Sequence, residues 1–278
     1  MKKLFILLLL LGGASSALAV ANTWNSTNTT TNWFDEFNWA LGVPTAAASP
    51  GGDAILYQSS GVAPGPVLLS GESAVAYSVL LCGNPPPPTP QVAQTLTIKP
   101  GATLTTTTFL YVSGNGTTVR WGDLIMEGGI VTVGTDFSVG RSAIGKTGDQ
   151  RGWLHMTDGT INVAATFSIA QYPNASGWVE LYGGTINTQW FSMLTNDGTG
   201  VARLDIQNDG KLIILGDVTS SIANYSTTLG WITGYGDKNN VRWDTTTNPG
   251  KTTVWAVPEP ATMCLLGLGA LSLIRRKR

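Results

Sequence analysis

The 278-residue chain is long enough for one large β domain or two small ones. Only 12% of its residues are charged, about half the roughly 25% usual for soluble domains, while 34 are glycine and 42% are hydrophobic; that balance argues against both a helical and a disordered protein. The net charge of −1 hides two basic ends: Lys2, Lys3, Arg275, Arg276, Lys277 and Arg278 are 6 of the 16 basic residues, so the stretch between them carries −7, and with no Lys/Arg cluster there nucleic-acid binding is excluded.

Met1-Lys2-Lys3 forms a short positive region, Leu4 to Leu11 an unbroken apolar run of eight, and Ala17-Leu18-Ala19 a small-x-small cleavage site. This order predicts a secretory signal helix over 1–19, cut after Ala19 by signal peptidase during export. The body then runs over 20–256. Its first part, 20–63, holds Trp24, Asn32-Trp33, Asn38-Trp39 and Gly42-Val43-Pro44. Asn-Trp pairs before a Gly-x-Pro turn resemble the entry segment of autotransporter-type β-helix proteins. That resemblance implies an N-terminal cap, with the closely spaced tryptophans in the core and not on a sugar platform.

Pro85 to Pro88 with Pro90 predicts an extended loop over 85–90, pushed out of an early coil. The segment 92–219 repeats. Glycines 101, 129, 159, 184 and 210 are spaced by 28, 30, 25 and 26 residues, and their flanks agree. Three residues before lie Ile98, Met126, Met156 and Leu181; five before lie Leu96, Leu124, Leu154 and Val179. The last unit, with Leu204 and Ile206, carries one extra residue. Two after lie Val131, Ile161, Ile186 and Leu212, and four after lie Val133, Val163, Thr188 and Ile214; the unit at Gly101 breaks this rule with Thr103 and Thr105. A third apolar position reads Phe109, Phe137, Phe167, Phe191 and Val218.

Alternation gives each short strand one buried face. A unit of 25 to 30 residues cannot shield that face alone, whereas stacked units share one core. The sequence therefore predicts an all-β, single-domain fold: a short parallel β-helix (solenoid) of about five coils, most simply right-handed and roughly 24 Å tall at about 4.8 Å per coil. A β-sandwich with coincidental spacing is the competing architecture. The columns stop over 220–256, where Trp231, Trp243 and Trp255 remain; this stretch is expected to close the C-terminal end, with Thr252 to Trp255 as a last strand.

The segment 257–278 contains Val257-Pro258-Glu259-Pro260, a 14-residue apolar run from Ala261 to Ile274, and the basic end Arg275-Arg276-Lys277-Arg278. Fourteen residues fall short of the roughly 20 that span a bilayer, which predicts a short transmembrane helix serving as a transient inner-membrane anchor with its basic tail inside. The motif order closely resembles the PEP-CTERM sorting signal of Gram-negative bacteria. The resemblance implies recognition and tail removal by exosortase, in a host that makes exopolysaccharide and often forms biofilm.

Catalytic chemistry is thin. His155, the single histidine, alternates outward and lacks identifiable partners in sequence, so no nucleophilic triad is available. Asp158 and Asp209 precede repeat glycines as turn residues, and no carboxylate column with a basic partner recurs. Zinc spacing and the nonapeptide Ca²⁺ repeat are missing, so no catalytic residue, metal site or cofactor is expected. Trp153 and Trp178 share one offset from their glycines and should stack one coil apart on the outer face, where they could pack a loop or contact a glycan. The expectation is an exported, secreted or cell-surface protein with a structural or adhesive role. A polysaccharide-binding module or polysaccharide-active enzyme on the same scaffold is the alternative.

Overall fold

The computed structural model describes residues 22–24, 30–47, 52–56, 65–82, 93–114, 120–141, 150–172, 174–193 and 200–258. The expected signal helix with Ala17 and Ala19, the proline loop and the short apolar run 261–274 lie outside them. No helix among the described residues is long and apolar enough to cross a membrane.

The body is a β-solenoid whose strands form three parallel sheets. Sheet A stacks Val67–Leu68, Gln94–Ile98, the start of Arg120–Val133, the start of Gln150–Gln171, Ala175–Leu181, Val201–Ile206 and Ile232–Gly234. Sheet B stacks Ser73–Ala76, Thr103–Thr106, the end of Arg120–Val133, the middle of Gln150–Gln171, the start of Thr185–Met193 and Lys211–Leu215. Sheet C stacks Asp53–Leu56, Ser78–Leu81, Leu110–Val112, Phe137–Arg141 and the ends of Gln150–Gln171 and Thr185–Met193. Each complete coil passes through A, B and C, and five do so: 67–81, 94–112, 120–141, 150–171 and 175–193.

The ladders read from the sequence are the core. Ile98, Met126, Met156, Leu181 and Ile206 lie in one register and are all fully buried, as are Leu96, Leu124, Leu154, Val179 and Leu204. Phe137 and Phe167 stack with centroids 5.1 Å apart, and Phe191 follows at 5.5 Å.

Three expectations need correction. Phe109 is not a rung of the phenylalanine column: Leu110 pairs with Phe137 and is buried, while Phe109 stacks on Tyr111 at 4.1 Å. The unit at Gly101 does not break the inward rule. Thr103 pairs with Ile130, so Ala102 holds the ladder position of Gly129 and the buried pair is Leu104 and Thr106, one residue later than expected. Val218 does not pair as a rung either; the chain turns there into the short helix Thr219–Ala223.

One column escaped the sequence reading. Gly122, Gly152, Gly177 and Ala202 pair in succession on sheet A. A Cβ on Gly152 would stand 2.2 Å from the Gly140 nitrogen and 2.3 Å from the Val112 oxygen, and one on Gly177 would stand 2.2 Å from the Val139 oxygen. The C-to-A corner therefore passes its own backbone beneath the start of the next strand, and only hydrogen fits between.

Both ends are closed by residues used once. At the entry Trp24, Trp33 and Trp39 are buried, with Trp39 edge-on to both others at 5.0 and 4.9 Å and its Nε1–H donating to the Trp33 carbonyl at 2.7 Å. Asn22 braces this turn, donating to the Gly42 carbonyl and accepting from the Leu41 N–H. At the far end Lys251–Ala256 pairs antiparallel with Lys211–Leu215 on one side and with Val241–Asp244 on the other.

Candidate functional site

Inward residues of sheet A build the core, so the residues that alternate with them along each strand face outward. In one outer row Thr95, Asp123, Trp153, Trp178 and Arg203 pair in succession. In the next, Thr97, Ile125, His155, Glu180, Asp205 and Thr233 do so. Trp153 and Trp178 thus come together, with centroids 4.7 Å apart and planes within 21°. The separation equals the rung spacing, so the indoles are piled along the solenoid axis and each occupies one face of the other. The remaining face of Trp178 adjoins the rung of Arg203, which is exposed.

The charged groups interlock. His155 Nδ1 lies 2.6 Å from Glu180 Oε2, and its ring stacks against Trp153 at 6.1 Å. The histidine thus has the partner that the sequence left unidentified. Glu180 shares His155's offset of four before a repeat glycine; that column was the available signal. Asp123 sits beside this pair. Burial pushes its carboxyl above the ordinary value of 3.8, and the charge of His155 opposes the rise. Asp205 accepts from Thr233 Oγ1, the Gly236 N–H and Gln207 Nε2. Arg151 lies over the Trp121 ring at 4.8 Å. The indole N–H groups of Trp121 and Trp153 are buried with no acceptor among the described residues.

Chemically this face offers carboxylates as acceptors, Arg203 as donor and an indole plane. Among the described residues no group of three or more His, Cys, Asp or Glu is placed to hold a metal. Of the expected sorting residues Pro258 is the last one described; Glu259, Pro260, Arg275, Arg276, Lys277 and Arg278 lie outside. Ala256 ends the closing strand, is 5% exposed, and is followed by Val257, whose N–H donates to the Asn240 carbonyl at 2.8 Å.

Residues 256–278 match the PEP-CTERM protein-sorting motif. The motif starts on the residue where the solenoid ends, with no intervening linker. A PEP-CTERM signal implies export and sorting by exosortase to the cell surface or extracellular space of a Gram-negative bacterium. No curated protein and no solved structure matches the chain.

Proposed function

We propose that this protein is a non-enzymatic component of the cell surface or extracellular matrix whose solenoid body adheres to polysaccharide. In this reading signal peptidase cuts after Ala19, the apolar run 261–274 anchors the chain transiently in the inner membrane, and exosortase removes the tail after Pro258-Glu259-Pro260. The adhesive part is carried by one observation: the Trp153–Trp178 pair shares its outer face with Asp123, Glu180 and Arg203. Sugars are recognised by an apolar plane for the ring and fixed donors and acceptors for the hydroxyls. The Trp153→Ala, Trp178→Ala double variant is expected to lose most binding to the host's exopolysaccharide while its far-ultraviolet circular dichroism stays unchanged. Wild-type retention by that variant would remove the sheet A face from the proposal. Intact mass from the native host checks the processing; a product that keeps Arg278 refutes tail removal.

A second reading, a polysaccharide-active enzyme, draws on Asp123, whose raised carboxyl stands next to the His155–Glu180 pair. Release of reducing ends from exopolysaccharide that disappears with Asp123→Ala would establish it over the first.

A further inference from the structure

The outer face of sheet B differs in chemistry from that of sheet A. Its central row pairs Val75, Thr105, Thr132, Asn162, Asn187 and Ile213. Asn187 Nδ2 donates to Asn162 Oδ1 at 3.0 Å. Each amide has more capacity than this bond uses, so Asn162 keeps its NH₂ donors and Asn187 its carbonyl oxygen. Beyond this row the chain turns through Gly134, Ala164 and Gln189 into sheet C. At the C-terminal end Leu215 and Lys251 rise as a wall, because the closing strand pairs these two residues directly. Together they enclose an open groove of about 450 Å³.

The lining decides what fits. It contains amides, threonine hydroxyls and aliphatic side chains, with no carboxylate; its one charged group, Lys251, is exposed and forms no ion pair among the described residues. A single cation is too little for a nucleic acid. A peptide strand would need a free sheet edge, whereas the groove crosses strands whose backbone groups are paired on both sides. A polyuronate would approach a chain that carries −7 between its basic ends. Thr132, Asn162 and Asn187 occupy three successive rungs with Ile213 on the fourth, so the polar row runs on the order of 10 Å along the axis. Repeated donors and acceptors along an aliphatic floor match a chain of hydroxylated rings.

We infer that this groove is a second glycan site, distinct from the sheet A face, and that it binds an uncharged hexose polymer laid along the solenoid axis. The inference rests on the polysaccharide-adhesion reading and names its ligand class. Ile213 and Leu215 support the apolar side of a sugar ring; Asn162, Asn187, Gln189 and Lys251 meet its hydroxyls.

The test is affinity electrophoresis of the full chain in gels cast with hydroxyethyl cellulose, galactomannan or polygalacturonate. At least one neutral polymer should retard the protein. The Asn162→Ala, Asn187→Ala double variant should weaken that binding roughly tenfold, the loss of about two hydrogen bonds. Ala164→Trp, at an exposed position, should block the groove without touching the core, and an unchanged thermal midpoint for either variant shows that the fold is kept. Retardation that survives both groove variants but is lost in Trp153→Ala, Trp178→Ala overturns the groove and leaves the sheet A reading standing. Retardation by polygalacturonate alone, or by no polymer, overturns the groove as well; only the last result also removes polysaccharide adhesion.

Discussion

The middle coils and the C-terminal closure use opposite means to the same end. In the inward columns of the coils between Arg120 and Met193 like residues hold like one rung away: phenylalanine on phenylalanine, Met126 on Met156, even Ser168 Oγ on Ser138 Oγ at 3.1 Å. From Gly216 to Ala256 only Ile232–Gly234 continues a ladder, and the contacts that close the end are each made once. Phe191, the last rung of its column, meets Tyr225 edge-on at 6.0 Å, Tyr225 stacks on Trp231, and Thr252 Oγ1 ties the helix start to the closing strand by accepting from the Val218 N–H and donating to the Gly216 carbonyl. Repetition supplies a core that can be extended indefinitely, and only unrepeated contacts can end it.

The sharpest way to break this contrast is Gly152→Val. The new side chain would meet backbone on two sides at the C-to-A corner, and because the clash lies in the shared stack, loss of the folded body is expected by circular dichroism and limited proteolysis. A folded variant would mean that coils shift past one another more easily than the ladders imply. Next in size is a pair of cavity substitutions. Phe167→Ala should destabilise by about 3–5 kcal/mol, since its ring is fully buried between two others. Val254→Ala in the closing strand should cost about 1–3 kcal/mol. If the closure is a separate unit, hydrogen exchange in Val254→Ala will speed up over 211–256 and stay slow over 120–193; uniform acceleration would erase the distinction. The smallest effect probes the coil surface alone. Because burial raises the Asp123 carboxyl, its contribution to stability is present below pH about 3.8 and is lost as pH rises through the folded value. Asp123→Asn should therefore be more stable than wild type at neutral pH, with the difference vanishing in acid. A variant less stable at neutral pH would assign the larger role to the His155 charge.

The coils were legible because a ladder writes the same residue class at the same offset several times over; three columns sufficed to predict the parallel stack, its register and its interior. Legibility failed where one unit slipped. Gly101 stands one residue ahead of the ladder position, so alignment on glycines shifted Leu104 and put Phe109 in the place of Leu110. The closure was invisible beyond its tryptophans, since a contact made once has no period. On the outer faces the Trp153–Trp178 stack followed from their common offset, and the His155–Glu180 pair could have followed in the same way. The groove could not: its end wall exists only because Lys251 folds back against Leu215, a pairing between chain segments that share no pattern.

The antiparallel direction of Lys251–Ala256 has a consequence for how the molecule is made. A chain that crosses a membrane from its N-terminus can stack its rungs one after another on the far side. Until the final strand arrives, Lys211–Leu215 presents a bare edge able to recruit the same segment of a second molecule. That final strand runs antiparallel to both strands it pairs with, so it stops the growing end instead of extending it. It is also the last piece of the body to emerge before the address label. Completion of the particle and exposure of its label thus fall within a few residues of each other, and a cut upstream of Lys251 would reopen the edge that had just been sealed.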